Sequence, residues 1–177
     1  MKPIFIIGYM GCGKTTFGKA LSAATGLKFI DLDFYIEQRY HATVREIFDR
    51  HGEEGFRKME KEMLHEVADF EDAIISCGGG TPCFFDNVEY MNQHGTTLWL
   101  QASHESLFSR LIRKREKRPL LAGHTDDEIR EIIATQLAKR EPFYSKATLT
   151  WQGDSLEDRR QISDNIAEFL KNHELGD

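Results

Sequence analysis

Apolar residues come in short runs, separated by longer stretches where they recur every three or four positions. The runs at 3–7, 28–31, 73–77, 96–100 and 147–151 have strand length and favour β-branched and aromatic residues. Between them, helical spacing covers 15–25, then 33–40, 43–50 and 53–68, then 84–94, 103–113, 126–142 and 156–172. The first of these helices carries Phe17, Ala20, Leu21 and Ala24 on one side, and the last carries Ile162, Ile166, Phe169 and Leu170. Strands alternating with helices predict βαβ units, an α/β fold whose parallel sheet has helices on both faces. Residues 114–125 follow neither period and hold Pro119 and Gly123, which predicts a mobile surface loop, a lid. No repeat or linker interrupts the pattern, and 177 residues fit a single domain, 1–177.

Composition narrows the class. With 40% hydrophobic residues and 4 prolines, the chain can build a core and is not disordered. No apolar run approaches the roughly 18 residues of a membrane helix. The apolar run after Lys2 is broken at Gly8, too early for a secretory signal, so a cytoplasmic protein is expected. The three cysteines show neither zinc spacing nor an even count for disulfides. Cys77 and Cys83 are expected to be small buried thiols, and Cys12 to contribute its backbone, with oxidation of its thiol a minor reading. The seven histidines have no ligand spacing and receive no role.

Net charge is −6, but Arg110, Arg113, Lys114, Arg115, Lys117 and Arg118 against Glu116 make 110–118 a +5 segment, leaving −11 elsewhere. One basic patch on an acidic protein suits a small polyanion; a long nucleic acid would be repelled. A solvated helix face is the competing reading, weakest for Arg118 beside Pro119.

Gly8-Tyr9-Met10-Gly11-Cys12-Gly13-Lys14-Thr15 spells G-x-x-x-x-G-K-T between the first strand and the first helix, the context a phosphate-binding P-loop requires. Its glycines let backbone N–H groups turn inward at a positive helix start. Lys14 brings a mobile charge to the outer phosphates, and the Thr15 hydroxyl can ligate Mg²⁺. A helix of about 15 Å leads away from the loop and a strand of about 16 Å returns, so Asp31 and Asp33 arrive back at the same sheet edge. The 73–77 strand delivers Gly78-Gly79-Gly80 there too, and ligands of open parallel sheets sit at that edge.

Asp31, nearer the loop, is expected to serve the metal. Asp33 can meet an acceptor hydroxyl or cap the 33–40 helix. Three consecutive glycines have no use in a strand or helix, so they mark close approach of a ligand or a tight turn. Arg140 lies along the apolar stripe of its helix, and a buried guanidinium needs an anion, either a protein carboxylate or a substrate's. Arg57 has Glu60 three residues on, either orienting it or forming a plain surface pair.

Taken together, G-Y-M-G-C-G-K-T-T at 8–16, D-L-D at 31–33, G-E-E-G-F-R-K-M-E at 52–60, C-G-G-G at 77–80, R-P-L-L at 118–121 and R-E-P-F-Y at 140–144 resemble the shikimate kinase family across nearly the whole chain. The resemblance implies a P-loop kinase fold like that of nucleoside monophosphate kinases, with strand order 2-3-1-4-5, and transfer of the ATP γ-phosphoryl group to the 3-hydroxyl of shikimate. By position it implies acceptor contacts at Asp33, Arg57, Gly79 and Arg140, with Gly78 and Gly80 beside them, and a substrate-binding subregion at 33–68. Nucleotide phosphates would fall to Gly11, Cys12, Gly13, Lys14, Thr15, Thr16 and the lid Arg118, and Mg²⁺ to Thr15 and Asp31. Asp33, Lys14 and Arg118 form the implied catalytic set. The expected partners are ATP/ADP and shikimate, without nucleic acid or membrane, and a monomer is expected. Two stretches depart from the family pattern: Thr-Pro-Cys-Phe-Phe at 81–85, and the region after Thr150, where no basic adenine-side residue stands and Arg110 is the candidate.

A carboxylate with a pKa near 4 is a poor base for an alcohol. Asp33 is therefore expected to orient the hydroxyl and take its proton late, while charge neutralisation dominates. A kinase for another hydroxy acid such as gluconate, and a nucleotide-binding regulator without catalysis, are the competing readings.

Overall fold

The computed structural model describes residues 1–113 and 121–173. Its strands are β1 (Ile4–Ile7), β2 (Lys28–Asp31), β3 (Ala73–Ser76), β4 (Thr96–Gln101) and β5 (Leu149–Gln152). All pair in parallel in the order β2-β3-β1-β4-β5, as expected. β1 and β3 are buried along their full length, which is why both read as unbroken apolar runs. Edge strand β5 alternates between half-buried and exposed positions.

The flanking helices are α1 (Lys14–Thr25), α2 (Leu32–Tyr40), α3 (Val44–Ala68), α4 (Asn87–His94), α5 (His104–Ile112), α6 (Asp126–Tyr144) and α7 (Arg159–Asn172). α1 packs on α7 through Phe17 and Phe169, edge to face with centroids 5.3 Å apart. Capping boxes at Thr43–Glu46 and Thr125–Glu128 start α3 and α6. No described helix is long and apolar enough to cross a membrane.

Some boundaries differ from expectation. The two helices expected at 43–50 and 53–68 form one element broken at Gly52, whose φ of 66° and ψ of −178° are not helical. The helix expected at 84–94 begins only at Asn87. Ahead of it Thr81–Cys83 make a 3₁₀ turn, Phe84 is extended, and Phe85 has a positive φ of 51°. The last helix starts at Arg159 rather than 156, because the Asp158 carboxylate caps the N–H groups of Arg160 and Gln161. Of the expected lid, 114–120 and with it Arg118 lie outside the described residues; Leu121, just beyond, is fully buried rather than a surface position. Cys12 and Cys77 are buried, whereas Cys83 is only half-buried.

Register fixes the position of the site. Asp31 pairs with Ser76, and Ser76 with Ile6. The ends of β1, β2 and β3 are therefore level, and the segments that leave them emerge side by side.

Candidate active site

The loop between β1 and α1 owes its curl to three glycines. Gly8, Gly11 and Gly13 have φ of 145°, 84° and 105°, a region that side-chain-bearing residues rarely adopt. Gly13 caps α1 without a side chain, and the first turn holds no acid. The N–H groups and positive dipole of that turn are thus left for an anion, in contrast to the boxed starts of α3 and α6. Lys14 Nζ donates to the carbonyls of Gly8 at 2.8 Å and Tyr9 at 3.0 Å, which holds the ammonium at the loop. A hollow of about 420 Å³ opens here, lined by Gly11, Gly13, Lys14, Thr15, Thr16, Asp31, Asp33, Ser76, Gly78 and Gly79 among others.

Asp31 ends β2, and its Oδ1 accepts from the Phe34 N–H at 3.2 Å. The capping role considered for Asp33 therefore belongs to Asp31, and Asp33 is free to face the hollow from the first turn of α2. Its pKa does not match the ordinary value assumed from sequence. Burial, followed by the carboxylates of Glu60 and Asp31, raises it from 3.8 to about 6, against the opposing pull of Lys14 and Arg57.

The triple glycine is explained by space rather than by backbone angle, since none of the three has positive φ. A Cβ on Gly78 would lie 3.2 Å from Asp33 Oδ1, one on Gly79 3.0 Å from Arg140 Nη1, and one on Gly80 2.5 Å from Arg57 Nη2. Each glycine makes room for one of the polar side chains expected to hold the acceptor. The Gly79 position is also 3.5 Å from Met10 N, so the glycine wall touches the P-loop. Neither arginine lines the hollow beside the P-loop; both abut this wall.

The two arginines are held differently. Arg57 Nη1 donates to Glu60 Oε1 at 2.9 Å, and the other Glu60 oxygen accepts from Thr81 Oγ1 at 2.7 Å. Glu60 is 1% exposed, so the Arg57–Glu60 pair is a buried anchor and not a surface pair. Arg140 lies over the Tyr9 ring at 5.3 Å, and among the described residues no ion pair joins it to a carboxylate. Tyr144, one turn further along α6, donates its hydroxyl to Gly79 O at 2.5 Å and pins the glycine wall to that helix.

Arg110, the adenine-side candidate, lines the same hollow as the P-loop, and the edges of its guanidinium are tied down. Its guanidinium donates to Gly11 O, Cys12 O, Gly153 O and Asp154 O at 2.8–3.3 Å, and to Glu157 at 2.6 Å. Arg113 shares Glu157 at 3.1 Å, so this end of the basic segment is partly neutralised. Thr81, Tyr144 and Glu157 were not singled out from sequence. Only Tyr144 left a signal, four residues beyond Arg140 on the same helix.

A parallel sheet ordered 2-3-1-4-5, with a glycine loop running from its central strand into a helix and an acidic residue ending the edge strand β2 at the same side of the sheet, defines a P-loop kinase. Comparison with known proteins narrows the class. The family model described as shikimate kinase matches residues 10–171. A shikimate kinase of Phocaeicola vulgatus is 53% identical over 171 residues, covering 97% of this chain and 98% of the relative. A solved shikimate kinase of Bacteroides thetaiotaomicron superimposes with a TM-score of 0.94 at 49% identity, covering 98% and 99% of the two chains. One from Acinetobacter baumannii, in complex with shikimate, gives 0.80 at 29% identity over 99% and 96%. The chain belongs to the shikimate kinase family.

Proposed function

We propose that this shikimate kinase transfers the γ-phosphoryl group of ATP to the 3-hydroxyl of shikimate, and that Arg57, Arg140 and Asp33 hold the acceptor against the glycine wall. One observation carries the assignment of residues: Asp33, Arg140 and Arg57 each pack on one glycine of a wall that touches the P-loop. A carboxylate-bearing ring alcohol fits that arrangement. Guanidinium groups suit its carboxylate, and Arg140 has no described carboxylate of its own. Asp33 accepts the hydroxyl proton, and a pKa near 6 makes it a better acceptor than an ordinary carboxylate while leaving it ionised at neutral pH. Lys14 turns from its loop carbonyls to the outer phosphates, and the N–H groups opening α1 steady the phosphate chain.

The residues present fit Mg²⁺. The Thr15 hydroxyl and the Asp31 carboxylate line one hollow, and the Phe34 N–H fixes that carboxylate. Among the described residues no cluster of three His, Cys, Asp or Glu side chains could hold a metal unaided, which suits an ion completed by phosphates and water. When bound, it neutralises phosphate charge. Arg118, outside the described residues, keeps the lid role that the family resemblance implies. The same reading has the enzyme acting as a monomer in the cytoplasm, on the support that one chain supplies every group named.

ADP release with shikimate, gluconate, a nucleoside monophosphate and no acceptor tests the reading; only shikimate should support it. Arg57→Ala or Arg140→Ala should weaken shikimate binding by about 1.5–3 kcal/mol per lost charged hydrogen bond, with ATP affinity nearly unchanged. Equal loss of both ligands would overturn the clamp.

A further inference from the structure

The segment 81–85, which follows the glycine wall, reaches Arg57 from a second side. Phe84 stacks on the guanidinium with 4.1 Å from Cζ to the ring centroid, closer than the neighbouring Phe56 at 5.2 Å. Phe84 is half-buried, yet it is not among the side chains packed on the hydrophobic core. A large aromatic off the core gains little from ordinary apolar burial, so its contact with the cation is the main thing its position provides. The backbone bends to allow it: Phe85 takes a positive φ of 51°, strained for a bulky residue, and is itself 53% exposed above Lys61. Arg57 Nε is buried with no hydrogen-bond partner, and beyond the one Nη1 bond to Glu60 the described residues offer only the exposed Glu53, 3.5 Å from Nη2, so polar contacts hold the plane of the group weakly.

We propose that Phe84 is a positioning residue for the acceptor, setting the plane of the Arg57 guanidinium through its ring face while Thr81 and Glu60 set the reach. The inference rests on the reading that Arg57 grips the acceptor carboxylate.

The test is steady-state kinetics with shikimate and ATP on Phe84→Leu, Phe84→Tyr, Arg57→Ala and the double variant Arg57→Ala/Phe84→Leu, with thermal midpoints alongside. Phe84→Leu keeps apolar bulk and removes the ring face. It should raise the KM for shikimate about three- to tenfold, within the range of a cation–π contact, and leave the KM for ATP unchanged. Phe84→Tyr keeps the face and should stay within about twofold of the parent. In the Arg57→Ala background, Phe84→Leu should add nothing, whereas a general structural role would still add its effect. The inference is overturned if Phe84→Leu matches the parent, if both KM values rise together, if Phe84→Tyr is as impaired as Phe84→Leu, or if the double variant shows the sum of the two effects. Should Arg57→Ala itself leave the shikimate KM unchanged, the underlying clamp reading fails instead, which separates the two.

Discussion

Replacing Glu60 with Gln probes the anchor under the acceptor pocket. Glu60 is 1% exposed and the Arg57 side chain 12%, and their contact is 2.9 Å, so both charges have left water and depend on each other. Removing one partner of such a buried pair costs about 3–5 kcal/mol. Two features bring the expected value toward the lower end. Glutamine keeps an acceptor for Nη1, and Glu53, 3.5 Å from Nη2 but 61% exposed, keeps a weak partner. We expect a loss of about 2–3 kcal/mol, a large part of the roughly 5–15 kcal/mol that holds a domain together. For a chain of this length that corresponds to a thermal midpoint lower by about 5–10 °C. Urea unfolding without ligand measures it, read as a shift in midpoint at constant slope. The substitution also removes the second-largest cause of the raised Asp33 pKa, so a site-resolved carboxylate titration should move back toward 3.8. A variant within about 0.5 kcal/mol of the parent, with Asp33 still titrating near 6, would refute the picture of a buried pair feeding charge into the pocket.

In the metal-free parent, Asp33 should titrate with a midpoint near 6 by carbon-detected NMR, and a midpoint near 4 would contradict its placement. Because its folded pKa lies above the unfolded value, its contribution to stability is full below about pH 4 and is lost as pH rises through 6. Asp33→Asn should therefore flatten the stability decline in that window and depress turnover far more than ATP binding. Gly80→Ala places a methyl 2.5 Å from Arg57 Nη2 at a backbone angle any residue tolerates. It must push aside the guanidinium that Glu60 holds, so it should cost about 1–3 kcal/mol of stability and weaken shikimate binding about tenfold or more, the loss of one charged hydrogen bond. Unchanged shikimate affinity in a folded Gly80→Ala protein would show that the pocket tolerates a shifted guanidinium.

The sheet was legible because its central strands are buried on both faces, so Ile4–Ile7 and Ala73–Ser76 had to read as apolar runs. The P-loop was legible because its positive-φ positions accept little but glycine. What the sequence hid was set by tertiary neighbours. Gly78, Gly79 and Gly80 invited a ligand reading, and the groups that fill their missing Cβ space are Asp33, Arg140 and Arg57. The pKa of Asp33 depends on Glu60, 27 positions away, and on burial, which no local pattern records. The late start of α4 follows from the turn at Thr81–Cys83 and the bend at Phe85, within a span whose spacing alone reads as helix from 84. The charge of Arg110 was visible in the sequence, whereas the four carbonyls that fix its guanidinium beside the hollow were not.

Those contacts of Arg110 act as a rivet. One guanidinium fastens the underside of the nucleotide loop to residues 153–157, tying the β1–α1 turn to the segment that follows β5. A change at Arg110 is therefore felt by the phosphate loop and by residues 153–157 together.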